Sequence, residues 1–309
     1  MSLKTENTKY LITVVGPTAI GKTALAIQIA RHFRTAVLSS DSRQFYREMH
    51  IGTAVPSPEE LQAAPHYFIQ HKSIHDNYSV GDFEREALDT LGKLFRNNQV
   101  VVMAGGSGLY VTAVLKGLDE FPEVDPKIRE QLNRDLEEKG ITYLQKQLEE
   151  LDPVYYNRVD RENPHRLIRA LEICVGTQKP YSAFLSQPTK KREFTPVTIG
   201  LTAERKTIYE QINRRVDIMM ENGLLQEAES LLPYKQLNAL QTVGYKELFA
   251  YFEGHCTLKS AISEIKKNTR RFAKRQLTWF RKQDNIIWFD HKDGTGNIFE
   301  YLSSRMSKD

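Results

Sequence analysis

The chain has 309 residues, 40% of them hydrophobic, with 43 Lys and Arg against 39 Asp and Glu for a formal net charge of +4. That length suits two domains, or one α/β domain carrying an insertion. No apolar run approaches the length of a bilayer span, which excludes a membrane-spanning class. The two cysteines, Cys174 and Cys256, lie far apart with no second Cys at a metal-type spacing, which excludes a disulfide framework and predicts free thiols in a reducing compartment. Met1 to Lys9 is polar, so no signal peptide is expected and the cytoplasm is the expected location.

The first strong pattern is Leu11-Ile12-Thr13-Val14-Val15, an apolar run of buried-strand type. Gly16-Pro17-Thr18-Ala19-Ile20-Gly21-Lys22-Thr23 follows it, and Ala24 to Ala30 continues as a helix. Strand, G-x-x-x-x-G-K-T and helix together form a phosphate-binding loop in its required context. The glycines let backbone N–H groups converge on an oxyanion, and the helix N-terminus adds partial positive charge. Lys22 supplies a full charge, and the Thr23 hydroxyl is placed to hold Mg²⁺. A second strand, Ala36 to Ser40, ends at Asp41. In a doubly wound parallel sheet that residue shares a rim with the phosphate loop, where a carboxylate serves a metal, a proton transfer or merely a turn.

Residues 50 to 82 are irregular and Pro-rich. His71 and His75 are four apart, but no carboxylate or Cys completes a metal site. A helix is expected from Asp82 to Asn97, then a central strand at Val100 to Ala104. Gly105-Gly106-Ser107-Gly108 at its end permits close approach of backbone or ligand. From about Leu118 to Pro196 the αβ rhythm stops. Charged helical sequence punctuated by Pro122, Pro126, Pro153, Pro164, Pro180 and Pro188 predicts a helical insertion, with Arg166 and Arg169 on one helix face and Leu167 and Leu171 turned away. A fourth strand at Val197 to Leu201 precedes one long amphipathic helix, Ile208 to Leu232, bearing Arg214 and Arg215. Further on, Lys266, Arg270 and Lys274 form one row spaced by four, and Lys267, Arg271 and Arg275 form another. Between Gly244 and Lys282 there are ten Lys or Arg against three Glu, a one-signed helix that favours a polyanion partner. Ile286 to Phe289 completes five expected strands.

These segments resemble the tRNA dimethylallyltransferases, also called tRNA isopentenyltransferases. The resemblance rests on Gly16–Thr23, Ser40-Asp41-Ser42-Arg43-Gln44, His50-Ile51-Gly52-Thr53-Ala54, Gly105–Tyr110, Arg166–Glu172, Val243–Glu247 and Thr269–Arg281, which span nearly the whole chain. It implies an α/β, P-loop NTPase-like core with a mostly parallel sheet (1–117 and 197–309) and a helical insertion domain (118–196) that binds the tRNA anticodon stem-loop. It implies transfer of a dimethylallyl group from its diphosphate to N6 of the adenosine 3′ of the anticodon, in tRNAs reading codons that begin with U. By the same resemblance Gly16 to Thr23 holds the donor diphosphate rather than ATP, with Mg²⁺ at Thr23, and Arg215 reaches the diphosphate. Asp41 resembles the general base. Ser42, Arg43, Gln44, Ser107, Arg129 and the stretch His165, Arg166, Leu167, Ile168 and Arg169 match tRNA contacts. The family pattern departs at Ile20, where a small Ser is usual, at Ser107, where Thr is common, and at Val55 and Gln70. The basic rows would hold stem phosphates, and a monomer is expected. A kinase, an adenylate isopentenyltransferase and a non-catalytic tRNA-binding module are the competing readings of the residues alone.

Overall fold

The computed structural model describes residues 8–185 and 190–307; Pro188 and the first residues of the N-terminus lie outside them. Two compact units form, Met1–Lys116 with Lys191–Asp309, and Gly117–Lys190. In chain order the first unit runs β1 (Tyr10–Val15), α1 (Lys22–Phe33), β2 (Val37–Ser39), α2 (Pro58–Ala63), β3 (His66–Tyr67), α3 (Val80–Leu94), β4 (Val100–Ala104) and α4 (Gly108–Lys116). The second unit supplies α5 (Pro126–Lys139), α6 (Ile141–Leu151), α7 (Pro153–Tyr156) and α8 (Pro164–Thr177). The first then resumes with β5 (Thr195–Thr202), α9 (Arg205–Glu221), α10 (Leu224–Leu231), α11 (Tyr245–Phe252), α12 (Leu258–Phe280), β6 (Ile286–Asp290) and α13 (Thr295–Met306).

The sheet has the order β3-β2-β4-β1-β5-β6, and every pair in it is parallel. β1 is therefore central and buried along its whole length, which is why it is an unbroken apolar run rather than an alternating one. Its Ile12 and Val14 face α1, α9 and α13, packing with Leu25, Ile29, Ile208, Ile212, Ile298 and Leu302. Leu11 and Val15 face the other way, against Phe83, Leu91, Val111, Val114 and Phe280. Helices thus cover both faces, and the loops after β1, β2 and β4 emerge side by side at one rim, where doubly wound sheets bind ligands.

Three expectations need correction. The sheet has six strands, not five, because His66–Tyr67 pairs with β2 at its edge; two residues are too short to show a period. The fourth strand begins at Thr195, two residues before the expected return. The long helix expected from Ile208 to Leu232 is two helices. Gly223 sits between them at φ 100°, a left-handed conformation that ends one helix and redirects the next. In the second unit the prolines have a clear role. Pro126, Pro153 and Pro164 each open a helix behind an Asp or Asn cap, a position where the missing N–H costs nothing. Leu144, Leu148, Leu167, Ile168 and Leu171 form the core of that unit.

Candidate active site

The phosphate loop joins β1 to α1, with Gly21 as the left-handed N-cap and no side chain capping the helix. Pro17 has no N–H, and the Thr18 N–H is taken by the Gln276 side-chain carbonyl at 2.9 Å. The N–H groups of Ala19, Ile20, Gly21, Lys22 and Thr23 find no acceptor among the described residues. Five donors at the positive end of a 12-residue helix make a cradle for an anion. Ile20 is buried in the core beneath the loop, so the departure from a small Ser alters packing and leaves the backbone donors in place.

Lys22 folds back over the loop and donates to the Pro17 carbonyl at 2.8 Å. Burial draws its ammonium down to about 8; Asp41 opposes that shift, and the like charge of Arg215 adds to it. Arg215, half-buried on α9, reaches the Thr18 hydroxyl at 3.5 Å. Its guanidinium and that of Arg43 are both lowered by burial, and Asp41 counters this at each. Asp41 thus faces three cations at the rim, and Glu60 adds a second negative charge near Arg215. The Asp41 Oδ1 accepts the Arg43 N–H at 3.2 Å, and the Asp41 N–H donates to the Ser39 hydroxyl.

These groups line a cavity of about 510 Å³ that includes Thr18 to Thr23, Asp41, Arg215 and an apolar wall of Ile51, Ala54, Ile218 and Met219. A narrower cavity of about 50 Å³ shares Thr18, Asp41 and Arg215 and extends to Phe272 and Gly244. Asp41 therefore touches both spaces.

Sequence reasoning missed two residues that hold this site. Gln276 of α12, besides its bond to Thr18, donates to the Gly106 carbonyl at 3.0 Å, and a Cβ at Gly106 would come within 2.1 Å of its Nε2. Glu227 of α10 accepts the N–H groups of His50, Ile51 and Gly52 at 3.0, 2.7 and 2.9 Å, and the Tyr245 hydroxyl at 2.7 Å. Burial, then the Glu227 charge, pushes the Tyr245 phenol well above its usual range. That network fixes the loop whose Ile51, Thr53 and Ala54 wall the cavity. A Glu in the first turn of a short helix carries no sequence signal of this partnership.

The expected RNA-contact residues divide. Ser42 and Ser107 bond to each other, hydroxyl to hydroxyl and Ser42 N–H to Ser107 hydroxyl, both at 3.1 Å. Arg43 stacks on Phe272 at 4.1 Å. Gln44 joins the Ser39 hydroxyl to the Ala54 carbonyl, so its amide serves the loops. On the second unit Leu167 and Ile168 are core residues, which corrects the expectation that they meet RNA; His165 and Arg166 are exposed, and Arg129 and Arg169 both donate to the buried Glu172, at 3.2 and 3.1 Å. On α12 the one-signed rows are also corrected. Lys266 pairs with Asp217, Lys267 with Glu264 at 2.8 Å, and Arg270 donates to Asn213 at 2.7 Å; Arg271, Lys274 and Arg275 remain exposed. His71 is boxed by Phe45, Phe68 and Tyr78, with burial drawing it down to about 4. Cys174 and Cys256 are free, and no helix among the described residues is long and apolar enough to cross a membrane.

A family model described as IPP transferase matches residues 44–283. The chain is 60% identical over 298 residues to a tRNA dimethylallyltransferase of Christiangramia forsetii, covering 96% of this chain and 99% of that one. Among solved structures, a full-length tRNA isopentenylpyrophosphate transferase from Bacillus halodurans matches with a TM-score of 0.73 at 36% identity over 97% of each chain. A eukaryotic dimethylallyltransferase acting on tRNA matches with a TM-score of 0.77 at 26% identity, covering 93% of this chain and 75% of the other. With a parallel P-loop-like core, a match over most of its length and relatives this near, the chain belongs to the IPP transferase family of tRNA dimethylallyltransferases, a class of prenyltransferase enzymes.

Proposed function

We propose that this chain transfers a dimethylallyl group from dimethylallyl diphosphate to N6 of the adenosine on the 3′ side of the anticodon, in tRNAs that read codons beginning with U. The observation that carries the reading is the five-donor cradle of Ala19 to Thr23, with Lys22 and Arg215 beside it and Asp41 at the junction of two cavities.

The chemistry follows from the residue types. The adenine amine is a poor nucleophile because its lone pair feeds the ring. The allylic C1 compensates, since positive charge developing there spreads over the allyl system. As the N6–C1 bond forms and the C1–O bond breaks, negative charge gathers on the departing diphosphate. The loop N–H groups, Lys22 and Arg215 oppose it from preorganised positions. Asp41 accepts the proton that N6 releases. The apolar wall of Ile51, Ala54, Ile218 and Met219 suits the hydrocarbon tail. The narrower cavity marks a second approach to Asp41, and a base leaves its stack at lower cost from a loop than from a duplex.

The residues fit Mg²⁺ as an ion that arrives with the donor. No cluster of three His, Cys, Asp or Glu that could cage a metal occurs among the described residues. The Thr23 hydroxyl and Asp41 both line the cavity, and hard oxygen donors together with diphosphate oxygens and water are what Mg²⁺ takes. Thr23 would hold it, and it would neutralise charge on the leaving group.

Mass spectrometry of nucleosides from an anticodon stem-loop RNA incubated with enzyme and donor tests the reading. Prenylated adenosine in the RNA is the expected product. Unmodified RNA beside prenylated AMP would assign the acceptor to a free nucleotide, and selective, tight binding of ATP in place of the isoprenoid diphosphate would assign a kinase.

A further inference from the structure

The cavity beside the phosphate loop extends past the groups that react. Arg215, Ile218 and Met219 of α9 line it, together with Asn222 at the helix C-cap. Their spacing of i, i+3, i+4 and i+7 puts them on one face. Arg215 reaches the Thr18 hydroxyl and so marks the diphosphate end. Ile218 and Met219 lie one turn further along α9 and Asn222 two turns, at about 5.4 Å of rise per turn. One turn matches the reach of a five-carbon tail beyond its C1–O bond. The cavity continues for a second turn.

That outer part is apolar on both sides. Met219 and Ala54 line both this cavity and the narrower one that shares Asp41, whereas Ile218, Val55 and Pro56 line the larger one alone. A lone exposed Ile is ordinary on a protein surface. Ile218, 42% exposed, instead continues an apolar wall that starts at Met219. Val55 faces the same cavity from the loop before α2, and it is one of the positions at which the family pattern departs. The polar groups nearby are engaged: Glu60 accepts the Ser57 N–H at 2.9 Å, and the His50 ring meets the Gln70 amide at 3.3 Å. Asn222 is exposed to water, so the far end is a mouth rather than a floor.

Nothing in the transfer step limits the tail. The reacting part of any allylic diphosphate is C1, its C1–O bond and the adjoining double bond. A longer isoprenoid differs only in the group that replaces one methyl on C3. The N6–C1 bond still forms, the C1–O electron pair still leaves with the diphosphate, and the N6 proton still passes to Asp41. Burying the added hydrocarbon on an apolar wall is favourable. We propose that the enzyme also accepts geranyl diphosphate, the ten-carbon allylic donor, and transfers its geranyl group to the same N6, with the second isoprene unit between Ile218 and Val55. The proposal rests on the reading of the chain as a transferase of allylic groups to RNA.

The test offers anticodon stem-loop RNA with either donor and follows the nucleosides by mass spectrometry. Dimethylallyl transfer by the wild type is measured first; its absence overturns the parent reading. Given that transfer, geranylated adenosine is expected at a kcat/KM within about 200-fold of the dimethylallyl value, the range that misfitting methylenes cost in a pocket. A larger deficit, no product, or geranyl diphosphate that only competes with the shorter donor overturns the proposal alone. Val55→Asp sets a charge where the second unit would lie. It should lower the ratio of geranyl to dimethylallyl kcat/KM about tenfold or more. An unchanged ratio overturns the placement of the tail. Should that variant fail to fold, Ile218→Asn, at an exposed position, takes the same comparison with the same two outcomes.

Discussion

Gln276 holds Thr18: its side-chain carbonyl accepts the Thr18 N–H at 2.9 Å, while its amide donates to Gly106 at 3.0 Å. A single buried residue of α12 thus ties the phosphate loop to the glycine loop that carries Ser107. Replacing it with Ala leaves two backbone groups without partners, which costs about 1–3 kcal/mol of stability. Thermal unfolding of Gln276→Ala should report that loss, and donor titration should show weaker binding. Gln276→Glu should bind donor more weakly still, because a carboxylate accepts from Thr18, cannot donate to Gly106 and sets a negative charge beside the diphosphate site.

Lys22 makes donor binding depend on pH. Burial lowers its ammonium from 10.5 to about 8 in the free protein, and a bound diphosphate would favour the charged form. Above about 8 the free protein has lost the proton that the complex needs, so binding takes one up. The donor Kd should rise with pH beyond that point, by up to about tenfold per unit. Stability has the opposite sense: the buried charge is a cost carried in full below about 8 and relieved as pH climbs towards 10.5. Titration calorimetry in buffers of different ionisation heat should show proton uptake near pH 9, absent in Lys22→Gln.

Glu227 fixes the cavity wall through the N–H groups of His50, Ile51 and Gly52 and the Tyr245 hydroxyl. In Glu227→Gln one oxygen becomes a donor that faces donors. The expected loss is at least about 2 kcal/mol of stability, since hydrogen bonds to a charged acceptor are broken. The KM for donor should rise, and proteolysis at the loop of residues 50–54 should quicken.

Glu172 does comparable work in the second unit. It accepts from Arg129 and Arg169, and Arg169 also lies over the Phe121 ring at 5.0 Å. Two guanidiniums on one buried carboxylate leave a net positive charge in a fixed place. Glu172→Gln should raise the KM for RNA several-fold without moving the KM for donor; equal changes in both would show a general loss of fold instead.

The phosphate loop was legible because its signal is local: two glycines, a Lys and a Thr at fixed spacing between a strand and a helix. Asp41 and Ser107 followed from parallel-strand topology, which places strand ends at one rim. Gln276 and Glu227 were not legible. Each acts on backbone more than 150 residues away, and neither belongs to a periodic pattern. The basic rows of α12 looked continuous because Asp217 and Asn213, which engage Lys266 and Arg270, lie on α9. Leu167 and Ile168 fell within a resembling stretch, yet the helical period turns them into the core. β3 was invisible because two residues paired at a sheet edge have no hydrophobic pattern of their own.

The central claim is that the phosphate loop grips the isoprenoid diphosphate while Asp41 takes the amine proton. Single-turnover transfer by Asp41→Asn, started from enzyme with donor and stem-loop RNA already bound, tests it most directly. The rate should fall about 10²-fold or more, as expected when a general base is lost, with both ligands still bound. Transfer at the wild-type rate would show that the proton leaves by another route.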